Sequence, residues 1–298
     1  MSRRNRRDPG PTVRGRELGR WLRWAQQDAK LNGRELADAL GVSETTLSRM
    51  TTGRFVATPV EAAALLAVCR VTGERRDRIV ELAGESQDAD VLRLPTMELW
   101  SAYLWHAGEA ARVIEYYPTM IPWLAQTDEY ATAQLTSRGI DDSEALNEHL
   151  VQRRASSGLL SGRRVVLFVH EWALCQVVGD RQLMSAQLHH LLRLMVRPRV
   201  TVRVVPFNAW GSVSFGSFGL LEFDDLPAIV HREEPVAGLL LGSEDDVAAH
   251  RSIVDHLKVI AYNSTRSREI IADLAVRLDE LPEAGDSVAN WSELVSAP

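Results

Sequence analysis

Residues 33–50 have the sequence GRELADALGVSETTLSRM, which predicts two short helices separated by a tight turn. Two helices that cross at a steep angle need a small residue at the crossing and a glycine at the turn, which Ala37 and Gly41 provide. Ser43 can begin the second helix, because its hydroxyl can accept a hydrogen bond from a free backbone N–H. The predicted core positions are Leu36, Leu40, Val42, Leu47 and Met50. The stretch therefore predicts a helix-turn-helix motif.

Three further helices are predicted around this motif. The first starts near Gly15, and its apolar residues recur at helical spacing on one face. Those apolar residues are Leu18, Trp21, Leu22 and Ala25, and the residues predicted to lie outside that face are Arg16, Arg20 and Arg23. Residues 58–61, Thr-Pro-Val-Glu, begin a fourth helix to about Val71, and a fifth runs from Glu74 to Ala83. We expect a domain over residues 15–85.

Charge is unevenly distributed along the 298 residues. Residues 1–84 carry 16 Lys and Arg against 10 Asp and Glu, whereas the remainder carries 18 against 30. A basic segment is where a polyanion binds, because neutralised phosphates release counterions. The first part is therefore expected to contact DNA, and the acidic part is expected to stay off it.

The rest of the chain predicts a second, mixed α/β domain over residues 96–281. Predicted helices cover 96–115, 127–137, 141–160, 181–196, 243–262 and 266–281, and predicted strands cover 165–169, 200–206, 218–223, 228–231 and 238–241. We assign residues 1–14 to a basic disordered arm, 86–95 to a linker and 282–298 to a tail. The fold class is therefore an N-terminal all-α five-helix domain followed by a C-terminal mixed α/β domain.

The first domain resembles the Xre/lambda-repressor-type helix-turn-helix. The resemblance rests on residues 18–23 (LGRWLR), 35–37 (ELA), 41–43 (GVS), 47–50 (LSRM) and 53–54 (GR). In proteins of this fold, the second helix of the motif lies in the major groove of double-stranded DNA.

The resemblance implies a set of DNA contacts. Arg49 suits bidentate contact with guanine, Glu44 can accept from a cytosine amino group, and Thr45 can meet thymine. The residues expected to contact phosphates, which position the domain without reading sequence, are Arg34, Ser43, Ser48 and Arg54.

The second domain resembles the large C-terminal domain of undetermined function, of the DUF5753 type, in many actinobacterial Xre-type regulators. The matching stretches include residues 121–127 (IPWLAQT), 171–174 (EWAL), 200–207 (VTVRVVPF) and 218–223 (FGLLEF). The family usually has a smaller Pro-Gly-Leu-Leu-Gln-Thr run where Trp123 and Ala125 stand. The resemblance implies a role in actinomycete development or antibiotic control, often with a small partner protein from a neighbouring gene.

The chain shows no pattern typical of an enzyme, a metal site or a cofactor site. The eight histidines lack metal-ligand spacing, and the glycine loops and nucleophile motifs of common enzymes are absent. We therefore predict no enzymatic activity, no metal and no cofactor. Seven of the thirteen Trp and Tyr residues lie between Trp100 and Tyr130. They form either a plain core or an apolar ligand pocket, for which the candidates are Trp100, Tyr103, Trp105, Trp123 and Tyr130.

Compartment and partners follow from the same features. The chain has no apolar run of membrane-spanning length and no signal peptide, and its two cysteines suggest neither a disulfide framework nor zinc. The leading hypothesis is a cytoplasmic, homodimeric, sequence-specific transcription regulator whose C-terminal domain responds to a small-molecule effector or protein partner. The alternative is the DNA-binding member of an antitoxin-like two-protein switch that holds a small protein.

Overall fold

A computed structural model describes residues 11–84, 90–140, 142–156, 158–176, 178–234 and 237–280. The N-terminal part has five helices, as predicted: α1 (Val13–Asp28), α2 (Gly33–Leu40), α3 (Glu44–Thr51), α4 (Pro59–Val68) and α5 (Gly73–Gly84). Local chemistry explains where they begin. Asn32 with Glu35 forms a capping box at α2, and Thr58 with Glu61 forms another at α4. Gly41 ends α2 with a positive φ of 67°.

These helices share one apolar core. Its buried members include Leu18, Leu22, Leu36, Ala37, Leu47, Met50, Leu65, Leu66 and Ile79. Helix α1 approaches the end of α3 closely, because a Cβ added to Gly19 would lie 2.6 Å from the Gly53 nitrogen. Helix α3 therefore cannot shift without moving α1.

The C-terminal part is a mixed α/β domain, as predicted. Its strands are β1 (Val91–Leu94), β2 (Arg112–Tyr117), β3 (Arg164–His170), β4 (Val200–Val205), β5 (Phe218–Glu222), β6 (Ile229–Glu234) and β7 (Ala237–Leu241). Its α-helices are α6 (Thr96–Glu109), α7 (Asp128–Ser137), α8 (Ser143–Ser156), α9 (Leu159–Gly162), α10 (Glu171–Cys175), α11 (Arg181–Leu194), α12 (Glu244–Ile260) and α13 (Ser264–Glu280). Two 3₁₀ helices occupy Trp123–Ala125 and Trp210–Phe215.

The strands form one sheet in the order β1-β7-β6-β5-β2-β3-β4. Strands β2, β3 and β4 are parallel, and the other neighbouring pairs are antiparallel. Val113 and Tyr117 of β2 belong to the core on one face, which also contains residues of α6, α11 and α13. Ile114 and Tyr116 point to the opposite face, where α12 packs. The sheet is therefore covered by helices on both sides.

Several sequence assignments differ from the structure. The helix predicted over 96–115 ends at Glu109, and residues 112–117 form the central strand β2. This strand is buried on both faces, so its apolar run lacks the alternation by which half-buried strands are recognised. Residues 91–94, assigned to the linker, pair with β7 instead.

The N-terminal end of the chain also differs from its sequence assignment. Helix α1 begins at Val13, inside the stretch assigned to the disordered arm, and Thr12 caps it. Val13 is buried in the core of the C-terminal domain, where its side chain packs on Gly242. The rest of the arm (1–10), part of the linker (86–89) and the tail (282–298) lie outside the described residues.

We expect Gly53→Ala to destabilise the N-terminal domain by about 3 kcal/mol or more. Gly53 has a φ of 70°, and an added Cβ would lie 2.4 Å from the Arg16 Cα atom, so neither backbone can yield cheaply. Gly41→Ala is the control, since Gly41 has a φ of 67° but open space around it, and should cost only about 1–2 kcal/mol. Urea unfolding of the two variants measures the difference. Equal losses would contradict the close approach of α1 and α3.

Candidate functional site

Helix α3 presents three predicted base-reading residues on its exposed side. The Ser43 hydroxyl accepts from the Thr46 backbone N–H at 3.1 Å and begins the helix. Burial of Leu47 and Met50 fixes the rotation of the helix about its axis. As a result the side chains on the other side face outward; these are Glu44, Thr45 and Arg49.

The four predicted phosphate contacts are also exposed. Arg34 and Ser43 lie at the starts of α2 and α3, Ser48 lies within α3, and Arg54 follows it. Arg34 Nε is 3.9 Å from Asp38 Oδ2, and both side chains are largely exposed, so this contact does little to hold the arginine. The seven residues therefore lie on or beside the two helices of the motif, on exposed positions.

The charged face of α1 is not exposed. The sequence set Arg16 and Arg20 outside the apolar face of α1, and these two residues and Glu17 are all buried against the C-terminal domain. The Arg16 guanidinium lies 3.9 Å from the centre of the Phe223 ring and donates to the Pro227 carbonyl at 2.9 Å. Helical spacing set these two arginines apart from the apolar face, and a second domain covers them there. The spacing of residues along one helix does not indicate whether another domain packs on it.

Glu17 is at the centre of this domain junction. Its carboxylate accepts two hydrogen bonds of 2.9 Å from Arg20 Nε, and His106 Nε2 of α6 lies 3.5 Å from it. Burial by itself would raise the pKa of Glu17, but Arg20 and His106 outweigh burial and lower that pKa to about 2. Burial lowers the pKa of His106, so its imidazole is neutral at pH 7. The junction thus contains one buried ion pair whose charges compensate each other.

Weaker contacts extend the junction on both sides of Glu17. Arg78 of α5 pairs with Glu98 of α6, and the Arg14 side chain donates to the Val91 carbonyl of β1 at 3.4 Å. Arg23 of α1 lies 5.6 Å from the centre of the Trp105 ring. Helix α6 therefore meets α1 at Trp105 and His106 and meets α5 at Glu98.

The predicted pocket residues are not all in one place. Trp100 and Trp123 stack with ring centres 4.3 Å apart and line a common cavity. Tyr103 donates to buried Glu115 at 2.7 Å, and Tyr130 accepts from the Ile121 backbone N–H at 3.3 Å. Trp105 is on the side of α6 that faces α1. Only the first two of these five residues line that cavity.

Sequence reasoning missed the buried polar residues behind the aromatic cluster. Glu115 of β2 is fully buried, accepts from Tyr103 and from the Leu124 N–H at 3.1 Å, and burial raises its pKa to about 7. His231 is also fully buried beside Trp100 and Tyr103, and burial lowers its pKa to about 3. A glutamate inside an apolar run, as in Val113–Tyr117, is the one signal that marks such a position in the sequence.

Two family models match the chain. One, described as a helix-turn-helix domain, matches residues 17–79. The other, described as a domain of unknown function, DUF5753, matches residues 100–273. No curated protein matches the sequence. Across the residues that the structure describes, no helix is long and apolar enough to cross a membrane.

Glu17→Gln should lower the free energy of unfolding by about 3–5 kcal/mol, because it leaves the Arg20 charge buried without its partner. The depressed pKa gives stability that is present above pH 4.5 and lost as the pH falls towards 2, so the variant should lose that part of the acid sensitivity. Urea unfolding between pH 3 and pH 7 checks both effects.

The control for this change is Asp38→Asn, which removes the same charge from a contact whose side chains are 81% and 76% exposed. That variant should change the free energy by less than about 1 kcal/mol. An equally small effect of Glu17→Gln would show that the two domains do not dock through α1 in solution.

Proposed function

The chain belongs to the DUF5753 family and joins that domain to a helix-turn-helix domain, and on this basis we propose that it is a sequence-specific transcription regulator. Its C-terminal domain would respond to a ligand or to a protein partner. The single observation that carries the DNA-binding half is the capped helix α3, which presents Glu44, Thr45 and Arg49 outward. The acidic C-terminal domain contacts α1, and a response would reach α3 through these contacts.

The DNA-reading mode follows from the exposed side chains. With α3 in the major groove, Arg49 pairs with the O6 and N7 atoms of guanine, Glu44 accepts from a cytosine amino group and Thr45 contacts a thymine methyl group. Arg34 and Arg54 meet phosphates on either side, with the hydroxyls of Ser43 and Ser48. The net charge of the first 84 residues, 16 basic against 10 acidic, supports attraction of this end to the duplex.

A continuous series of contacts supports the responsive half of the proposal. Helix α6 carries Trp100 in the aromatic cluster and His106 against Glu17 of α1. Helix α1 in turn meets the end of α3 at the Gly19–Gly53 approach. A displacement of α6 would therefore shift α1 and with it α3, and regulation of this kind needs an element that has two arrangements.

We further propose that the regulator acts as a homodimer in the cytoplasm. One eight-residue recognition helix contacts too few base pairs for useful selectivity, whereas two copies read two half-sites. The dimer contacts would fix the distance between the two α3 helices.

Arg49→Ala should weaken binding to the specific site by about 1–3 kcal/mol and relax selectivity at one base position, if the arginine pairs with guanine. Its side chain is exposed, so circular dichroism and melting should be unchanged. Gel shifts with specific and scrambled DNA make the measurement. Arg75→Ala is the matched control, because Arg75 is an exposed arginine of α5 beside the groove between the domains.

The comparison has three outcomes. Loss confined to specific DNA supports base reading by Arg49. An equal loss on both DNAs, with a salt slope lower by about one, assigns Arg49 to a phosphate. Unchanged binding by the folded variant would move base reading to Glu44 and Thr45.

Footprinting should reveal two protected half-sites whose centres are about 34 Å apart or a multiple of that distance. Sedimentation of the free protein should give the mass of two chains. A monomer that protects one half-site would overturn the dimer proposal and leave the DNA-reading helix in place.

A further inference from the structure

A cavity of about 20 Å³ lies where the carboxyl end of β2 meets α8. Its apolar lining includes Trp100, Met120, Trp123, Leu135, Ile140 and Leu150. The carboxyl ends of parallel strands are where ligands bind in open α/β sheets. Here the central strand β2 ends at Tyr117, which is itself part of the lining.

Two neutral polar atoms of the lining have no hydrogen-bond partner among the described residues. They are Tyr117 Oη and Gln126 Oε1, on side chains that are 1% and 2% exposed. Such an unsatisfied buried group is costly, so a buried pair of them in one cavity needs a reason. The orientation of the Gln126 amide is settled, because its Nε2 donates to the Ile121 carbonyl at 2.8 Å. Gln126 therefore offers an acceptor and Tyr117 a donor.

The charged groups around the cavity are already compensated. Arg138 Nη1 lies 2.8 Å from Glu233 Oε1, and Arg153 of α8 pairs with Asp128 and donates to the Gln126 carbonyl. Burial lowers the pKa of His149, which is neutral at pH 7. Each charged side chain of the lining therefore has a partner of opposite charge, and burying an ionic ligand among them would be expensive.

We propose that this cavity is the binding site of a small, uncharged, flat molecule that carries a hydrogen-bond donor beside an acceptor, as an aromatic carboxamide does. The donor meets Gln126, the acceptor meets Tyr117, and the ring lies among the apolar side chains. The inference deepens the ligand-response half of the proposed function and rests on it.

The cavity must widen to admit such a molecule, because its closed volume suits about one water. The Arg138–Glu233 ion pair joins the end of α7 to β6 across the cavity and holds it closed. Separation of this pair lets the side chains from α7 and α8 move outward. Trp100 is displaced as the ligand enters, and α6 carries that displacement towards Glu17.

The test uses the full-length protein and benzamide as the probe, with benzoate and toluene as the charged and the apolar analogues. Isothermal titration should show saturable benzamide binding with a Kd on the order of 1 mM or tighter. Benzoate and toluene should bind at least about 10-fold more weakly, since each lacks part of the matching chemistry.

Tyr117→Phe should weaken benzamide binding by about 2- to 10-fold without lowering the unfolding midpoint, because the hydroxyl it removes has no hydrogen-bond partner among the described residues. Tyr116→Phe is the matched control. Tyr116 lies next along β2 but on the opposite face, where its hydroxyl donates to the Ser212 carbonyl at 3.1 Å. That variant should keep the full affinity for benzamide.

Glu233→Gln should speed benzamide association, because it removes the charge that holds Arg138. Lack of saturable binding by both the unaltered protein and this variant would overturn the proposal, with the cavity then admitting water only. Equal binding of all three probes, or equal effects of the two tyrosine variants, would also overturn it. Gel shifts without probe are independent of these results: lost DNA binding would refute the proposed function, whereas absent benzamide binding would refute this site alone.

Discussion

The burial of one carboxylate, that of Glu17, determines how the two domains of this protein are joined. Removing an ionised group from water is unfavourable unless charges and hydrogen bonds compensate it, which Arg20 does, while the neutral His106 lies 3.5 Å from the carboxylate. Arg20 lies one turn along the same helix, whereas His106 belongs to α6, so the buried pair of α1 borders the C-terminal domain. Both domains thus use helix α1. Its apolar face completes the core of the helical domain, and its polar face packs against the C-terminal domain.

A second buried carboxylate, that of Glu115, lies beside the aromatic cluster of the C-terminal domain. Glu115 of β2 accepts from Tyr103 of α6 and from the backbone of Leu124 in the 3₁₀ helix. These two elements carry Trp100 and Trp123, so this one side chain holds the stacked indole rings in place. Helix α6 therefore meets both buried acids within one turn of its length, Glu115 through Tyr103 and Glu17 through His106. A helix held in this way moves as a unit, which suits the transmission that we propose between the cavity and the DNA-reading helix.

Local chemistry explains why much of the fold was predictable. Capping residues, Gly41 and the apolar spacing around it are short-range signals, and they placed α2 and α3 within a residue or two of their observed bounds. The short apolar runs and turn residues around β3 to β7 are also short-range signals, and they predicted these strands. Strand β2 was missed because a strand buried on both faces lacks the alternation of apolar and polar residues, so its mostly apolar run also fits a helical pattern. Strand β1 was missed because four residues at the edge of a sheet are defined by their partner β7, not by their own composition.

The amino-acid sequence by itself determined the class of each domain, the helix-turn-helix, and which residues of α3 face outward, since core residues at helical spacing leave only one side free. Only the tertiary structure decided that the charged face of α1 is buried, because Glu17 and Arg20, three residues apart, would look the same on a solvent-exposed helix. It also decided which aromatic residues line a common cavity. Trp100 and Trp123 are far apart in the chain and come together through Glu115, whereas Trp105, five residues from Trp100, points the other way. Sequence records spacing along one element, and such contacts depend on the packing of several elements at once.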